Sequence, residues 1–261
     1  MKINANGISI NCEISGREGA PWVVFSNSLM TDLSMWDEQA AALGDSFRVL
    51  RYDHRGHGGT EATAPPYSFD VLTADVVALF DALGIKKAHF VGLSMGGMTA
   101  VALAERHPER LDRVIPCDCG PASTPQSAQQ WAERIALAKE KGMEALVEPT
   151  VGRWFVPEFL SSNKQIVDKV RAMIRTTSVN GFIGCALALS DFDLKPGLAN
   201  IKNPMQFLCG AKDASLGGTK ALNAGVPGSA LIEIEGAGHI SNMENPSAFT
   251  RAVREFLRAS A

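Results

Sequence analysis

The feature that most constrains the fold of this chain is a serine with a glycine two positions to either side, Gly92-Leu93-Ser94-Met95-Gly96. The motif follows a short apolar run at 88–91 and precedes a pattern of helical periodicity at 95–106. A turn from strand to helix this tight has room only for glycine at those two positions, and it pushes the serine side chain out at the carboxyl end of the strand. The motif therefore predicts a strand–turn–helix unit with Ser94 as a candidate nucleophile. The alternative is a glycine-rich turn with a passive serine.

The rest of the chain alternates short apolar runs with longer helical patterns, which is typical of a mostly parallel sheet flanked by helices. Strands are predicted at 8–14, 22–25, 47–53, 88–91, 111–115, 205–209 and 230–234. We expect the first of these to be an edge strand. Helices are predicted at 69–83, 95–106 and 247–259.

The alternation stops between about 118 and 204. A cluster of breaker residues at 120–125 is followed by helical patterns without a convincing strand, at 126–141, 143–151, 162–175 and 181–189. We therefore predict an α/β core made of residues 1–119 and 198–261, interrupted by a helical cap, or lid, of residues 120–197.

A histidine and an aspartate follow the last two predicted strands. His239 is a candidate base, because an imidazole accepts and returns a proton near neutral pH. Asp213 would orient that imidazole and stabilise its protonated form. Asp118, after an earlier strand, is a rival for this role, but the chain order serine, aspartate, histidine favours Asp213. The alternatives are a loop histidine that caps the next helix and an aspartate that serves a turn.

The loop after the strand at 22–25 is a candidate oxyanion site. Beside a strand–turn–helix serine, one oxyanion donor is the N–H of the next residue, here Met95, and a second N–H comes from this earlier loop. Matching Asn27-Ser28-Leu29-Met30 to a His-Gly-x-Gly pattern selects the N–H of Leu29. The alternative is an ordinary turn.

Composition excludes several classes of protein. The 25 basic and 28 acidic residues leave a formal net charge of −3 without a block of like charge, so nucleic acid and anionic membranes are not expected as partners. No apolar run approaches the ~18 residues of a membrane span, and the first residues lack the apolar stretch of a signal peptide. The five cysteines are scattered and odd in number, as in a reducing compartment. We expect a cytoplasmic protein.

Neither a cofactor nor a metal is expected. The glycine-rich segment 56–59 lacks the third glycine of a dinucleotide loop, and the chain has no G-x-x-x-x-G-K-[ST] phosphate loop. Cys117 and Cys119 are separated by one residue rather than two and have no second pair, which argues against zinc.

Over essentially its whole length the chain resembles the α/β-hydrolase superfamily. The resemblance rests on the serine motif, on Tyr52-Asp53-His54-Arg55-Gly56-His57-Gly58, on Asp213 and on Gly238-His239. A narrower likeness to 3-oxoadipate enol-lactonases rests on the segments 26–29, 31–36, 153–155 and 239–242. This resemblance implies an α/β-hydrolase fold with a cap, and a cofactor-free hydrolase of the β-ketoadipate pathway of aromatic breakdown.

The chain departs from the enol-lactonase pattern at three places. Met30 stands where those enzymes usually have glycine, which would narrow the oxyanion loop. The segment 213–218 lacks the usual Thr-Pro-Pro after the acid, and Cys117-Asp118-Cys119 is unfamiliar.

An enol-lactone that carries a carboxylate needs a cation in its pocket. Arg153 is our choice because it precedes two aromatic residues of the cap, with Arg134 and Arg175 as alternatives. Arg153 could equally belong to a surface ion pair.

The aromatic residues of the cap have two interpretations: Trp131, Trp154 and Phe155 either pack its core or form an apolar lid over the serine. We predict a small lactone or ester as substrate, and we leave a homodimer open. A carboxylesterase, an acyl-homoserine lactonase and a C–C bond hydrolase are alternatives with the same three catalytic residues. A ligand receptor on this fold is a further alternative, against which the intact Ser94, Asp213 and His239 argue.

Overall fold

Eight strands form the central sheet in the computed structural model, which describes residues 1–258. The strands are β1 (Lys2–Ala5), β2 (Ile8–Gly16), β3 (Trp22–Ser26), β4 (Arg48–Tyr52), β5 (Ala88–Leu93), β6 (Leu111–Cys117), β7 (Gln206–Gly210) and β8 (Ala230–Ile234). Their order across the sheet is β1-β2-β4-β3-β5-β6-β7-β8. Pairing is antiparallel from β1 to β4 and parallel from β4 to β8. The predicted mostly parallel sheet is confirmed.

Helices flank this sheet and fill a long insertion. They are α1 (Asp37–Leu43), α2 (Phe69–Ala82), α3 (Met95–Arg106), α4 (Pro125–Lys141), α5 (Glu144–Trp154), α6 (Pro157–Ser162), α7 (Lys164–Thr176), α8 (Val179–Ser190), α9 (Leu216–Gly225), α10 (Ser241–Glu244) and α11 (Pro246–Arg258). In the core, α3 packs on β3, β5 and β6, whereas α11 packs on α1, β6 and β8.

The helices α4 to α8 lie between β6 and β7 in the chain and pack on one another. The two ends of this insertion meet, because Ala122 and Asp193 form an antiparallel bridge. Within residues 1–258, no single helix is long and apolar enough to cross a membrane; α7 and α8 together reach that length and composition, but they are bent by 97° relative to each other.

The parallel strands at the centre of the sheet are buried on both faces. All residues of β5 and β7 are buried, and β3 is buried from Val23 onward. Strands buried on both faces have continuous apolar sequences, which is why these strands could be predicted from the sequence. Because they run in the same direction, the loops that follow them meet at one edge of the sheet, where ligands bind in open α/β sheets.

The N-terminal edge differs from the prediction. The segment at 8–14 was expected to be the edge strand, but β1 pairs with β2 and takes the edge. Asn6 and Gly7 form the turn between them, with φ of 46° and 74°. An Asn-Gly pair with both φ values positive is the preferred turn of a two-residue hairpin, so the prediction overlooked an available signal.

Several helix boundaries also differ. The helix predicted from Ser162 begins at Lys164, because Ser162 ends the separate helix α6. The last helix was predicted to reach Ala259, which lies outside the described residues; the described helix is α11. Neither α1 nor α9 was predicted from the sequence.

Candidate active site

Ser94 occupies the turn between β5 and α3. Its φ is 55° and its ψ −113°, a conformation that costs free energy for any residue with a Cβ and that recurs at functional sites. A Cβ on Gly92 would collide with the backbone of Gly96, and a Cβ on Gly96 would collide with the carbonyl of Ser26. Both flanking glycines are therefore required by close backbone contacts.

The structure brings His239 and Asp213 to Ser94. His239 Nε2 lies 3.0 Å from Ser94 Oγ, and His239 Nδ1 lies 3.0 Å from Asp213 Oδ2. The Asp213 side chain is 4% exposed and that of His239 15% exposed. Burial alone would raise the pKa of Asp213, but the charge and hydrogen bond of His239, together with hydrogen bonds from Ser215, outweigh it and lower that pKa.

Asp118 is not bonded to His239. Its Oδ1 accepts the N–H of Gly210 at 2.8 Å, and its Oδ2 accepts the hydroxyl of Ser241 at 2.5 Å. The side chain is fully buried, and this burial, together with the nearby charge of Asp213, raises its pKa well above the ordinary value. Asp118 thus joins the loops behind the imidazole, and Asp213 alone of the two acids contacts it.

Asp118, Asp213 and Cys209 also form the one cluster of candidate metal-ligating side chains found among residues 1–258. One ligand atom from each lies within 4.8 Å of the others. The two carboxylates already make five contacts outside the cluster, four hydrogen bonds and the bond to His239, so the cluster fits a structural network better than a metal.

The two expected oxyanion donors are buried and free. The N–H groups of Leu29 and Met95 have no acceptor among residues 1–258, and both residues are almost completely buried. Met30, which follows Leu29, has a φ of 60° and a fully buried side chain. This left-handed conformation favours glycine. It therefore accounts for the glycine that the enol-lactonase pattern has where this chain has Met30.

A cavity of about 510 Å³ opens above Ser94 and His239. Its apolar wall comes largely from the insertion and from α3: Met98, Trp131, Trp154, Leu189 and Phe192. Leu29 lines it as well. Phe155 does not line the cavity, because its ring stacks on Phe159 at a centroid distance of 5.3 Å.

Two arginines with no carboxylate partner among the described residues line the same cavity. Arg134 lies 4.8 Å from the centre of the Trp131 ring and donates to Thr150 Oγ1 at 2.8 Å. Burial lowers the pKa of Arg134 to about 9, and the charge of Arg153 contributes to this shift. The Arg134 guanidinium is therefore still charged at neutral pH. Arg153 has neither a hydrogen bond nor an ion pair within residues 1–258.

The third candidate cation is elsewhere. Arg175 Nε forms a surface ion pair with Glu144 Oε2 at 2.7 Å and does not line the cavity. A sequence offers no means of telling a paired arginine from an unpaired one when the partner is 31 residues away.

Two further side chains support the site, and neither is among the residues predicted from the sequence. Ser215 donates both its N–H and its hydroxyl to Asp213. Glu244 accepts the N–H of Gly238, beside His239, at 2.6 Å. The spacing Asp-x-Ser after a strand is a signal for the first contact; for Glu244 the sequence carries no local signal.

Known proteins are similar to this chain over nearly its whole length. A family model described as alpha/beta hydrolase fold matches residues 21–246. The chain is 36% identical to 3-oxoadipate enol-lactonase 2 of Acinetobacter baylyi over 98% of this chain and 96% of that protein. It is similar to the crystal structure of the enol-lactonase from Burkholderia xenovorans, with a TM-score of 0.96, 39% identity and coverage of 99% and 100% of the two chains. A thermophilic esterase from Thermogutta terrifontis has a TM-score of 0.92, 27% identity and coverage of 99% and 97%.

Proposed function

The chain belongs to the α/β-hydrolase family, and we propose that it is a serine hydrolase with Ser94 as nucleophile, His239 as base and Asp213 as the acid that orients it. The support for these roles is the continuous chain of contacts, each of 3.0 Å, from Ser94 through His239 to Asp213. No step of this chemistry needs a metal or an organic cofactor.

The reaction proceeds in two halves. In the first, Ser94 Oγ attacks the carbonyl carbon while His239 Nε2 takes its proton, and the N–H groups of Leu29 and Met95 stabilise the oxyanion. Collapse breaks the acyl–oxygen bond, and His239 returns the proton to the leaving oxygen. In the second half, His239 removes a proton from water, which attacks the acyl-enzyme carbonyl. Collapse breaks the bond to Ser94 Oγ, and His239 returns the proton to that oxygen, which releases the acid and restores Ser94.

We propose further that the substrate is a small enol-lactone with a carboxylate, such as 3-oxoadipate enol-lactone, an intermediate of aromatic catabolism. The observation that carries this proposal is Arg134, a guanidinium held on the Trp131 ring at the wall of the cavity and without a carboxylate partner in residues 1–258. Burying a cation costs free energy unless an anion pairs with it, and a carboxylate on the substrate would be such an anion. Arg153, on the same wall, is the second candidate for the carboxylate.

The leaving group makes this reaction irreversible in practice. Opening of an enol-lactone releases an enol, which becomes the more stable ketone. The cap, proposed as residues 120–197, supplies the apolar and cationic walls, so the core residues perform the chemistry and the cap selects the substrate.

The test compares an acidic enol-lactone with a neutral p-nitrophenyl ester on the wild type and on Arg134→Met and Arg153→Met. A charge-assisted hydrogen bond contributes about 1.5–3 kcal/mol, so losing it should lower kcat/KM about 10–100-fold on the acidic substrate. The neutral ester should be hydrolysed almost as before. Arg175→Met is the matched control, because Arg175 is paired at the surface.

Each result has a distinct meaning. Equal losses on both substrates would indicate a damaged cap. No loss with either cavity arginine, together with fast ester hydrolysis, would favour a general carboxylesterase. A wild type that hydrolyses neither substrate would contradict the assignment of the serine hydrolase itself.

A further inference from the structure

The end of α5 is attached to the loop that carries His239. The backbone N–H of His239 donates to the carbonyl of Trp154 at 2.7 Å. The Trp154 and His239 rings lie against each other, with centroids 5.9 Å apart. A Cβ on Gly238 would lie 2.6 Å from the same carbonyl, so the insertion and the histidine loop are in direct backbone contact.

One side chain links the same two segments. Glu244, the last residue of α10, accepts the N–H of Gly238 on Oε2 at 2.6 Å and the N–H of Val156 on Oε1 at 2.8 Å. Within residues 1–258 it forms no ion pair. Its carboxylate therefore joins two pieces of backbone, one beside the imidazole and one just after α5.

We propose that Glu244 is a positioning residue for His239, whose carboxylate fastens the insertion to the histidine loop and so keeps the imidazole within hydrogen-bond distance of Ser94. This inference rests on the role of base proposed for His239. The link needs two acceptor oxygens, which an ionised carboxylate has, whereas a carboxylic acid or a carboxamide has one acceptor and one donor group.

The link should respond to pH. Burial raises the pKa of Glu244 to about 7, although the two backbone bonds and the charge of His239 act to lower it; Asp213 acts to raise it. As the pH falls through that value, one oxygen gains a proton and one N–H loses its acceptor. The acid limb of log kcat/KM should therefore be steeper in the wild type than in a variant whose residue 244 does not titrate.

Glu244→Gln tests the link with a side chain of the same shape that does not titrate. A misplaced base lowers kcat steeply, so we expect a loss of about 10–100-fold on p-nitrophenyl acetate. The acid limb of log kcat/KM should become shallower, so that wild type and variant converge at low pH, which a merely structural role would not cause. Glu235→Gln is the matched control, because Glu235 lies exposed just before the same loop.

Val156→Pro removes the other partner and leaves the charge of Glu244 in place. The backbone accepts proline here, since Val156 has a φ of −68° and the preceding Phe155 is extended at φ −101° and ψ 145°. We expect a loss of kcat comparable to that of Glu244→Gln. The double variant should be no slower than the slower single variant, because both substitutions break one link.

Two results would overturn the proposal. One is Glu244→Gln with kcat within about threefold of the wild type and an unchanged slope. The other is a Val156→Pro variant as fast as the wild type, which would assign any effect of Glu244 to its charge; this variant also decides the matter if Glu244→Gln does not fold. A wild type that is inactive on the ester would instead contradict the proposed serine hydrolase.

Discussion

Asp118 and Asp213 place carboxylate oxygens within 4.8 Å of each other, yet only Asp213 contacts the imidazole of His239. The two acids share one buried network, and their pKa values shift in opposite directions, that of Asp118 upward and that of Asp213 downward. Both acids are buried, which raises the pKa of each; the nearby charge of Asp213 raises the pKa of Asp118 further, whereas the imidazole of His239 lowers that of Asp213.

The first prediction separates these two acids. Asp213→Asn should lower kcat about 10³–10⁴-fold, because an amide cannot orient the reactive tautomer of His239 or stabilise its charge. Asp118→Asn should retain most of the activity, since its Oδ1 can still accept the N–H of Gly210. Steady-state kinetics on p-nitrophenyl acetate measure both, and reversed results would assign the acid to the loop after β6.

The second prediction concerns the dependence of stability on pH. The raised pKa of Asp118 means that the folded state disfavours its charge, so its stabilising contribution is present at low pH and is lost as the pH rises through the folded-state pKa. Asp118→Asn does not ionise. Its melting temperature should therefore fall less than that of the wild type as the pH rises above about 4, the ordinary pKa of a carboxyl group. Parallel losses in both proteins would show that Asp118 is not the group responsible.

The third prediction concerns the nucleophile. Ser94→Ala should lower kcat by about three orders of magnitude or more, while melting temperature and binding of a substrate analogue remain near wild type. A fluorophosphonate probe should label the wild type once per chain and the variant not at all. Activity within about tenfold of the wild type would contradict the whole mechanism.

The fourth prediction compares two glycines. Gly96→Ala should prevent stable folding or remove activity, because the added Cβ would collide with the carbonyl of Ser26 in the turn beside Ser94. Gly152→Ala, in α5, should leave the melting temperature unchanged or raise it, since no atom lies within 4 Å of the new Cβ and alanine favours a helix by roughly 0.5–1 kcal/mol over glycine. Thermal unfolding by circular dichroism checks both.

The fifth prediction concerns the cysteines. All five are free and buried, and burial raises the pKa of each thiol, among them Cys119 at the cavity wall. Because the thiolate is the reactive form, a disulfide reagent at pH 8 should titrate almost no thiol in the folded protein and five per chain in denaturant. Rapid reaction of one thiol in the folded state, with loss of activity, would show that the cavity exposes it.

Local patterns determined how much of the fold was predictable. Gly92 and Gly96 predict the serine turn because the steric requirement for glycine lies within five residues of sequence. Unbroken apolar runs likewise predict the buried strands. The hairpin at Asn6 and Gly7, which was not predicted, is equally local, since an Asn-Gly pair itself favours a two-residue turn.

The support around the proposed catalytic residues was not predictable in the same way. Nothing in the sequence distinguishes Arg175 from Arg134. Only the folded chain shows that Arg175 is paired with Glu144, whereas Arg134 donates to Thr150 and has no carboxylate partner within residues 1–258. Glu244 depends on an N–H 88 residues away. Contacts at such separations depend on how the insertion packs on the core, which no local pattern encodes.

The insertion leaves the sheet after β6 and returns at its spatial neighbour β7, and its two ends are tied together where Ala122 meets Asp193. A segment that departs and returns at one place is a module, which recombination can exchange without altering the order of the strands. Ser94, Asp213 and His239 all lie outside it. Replacing α4 to α8 would therefore change the wall of the cavity while these three residues stay in place, although it would also remove the backbone donor that Val156 gives to Glu244.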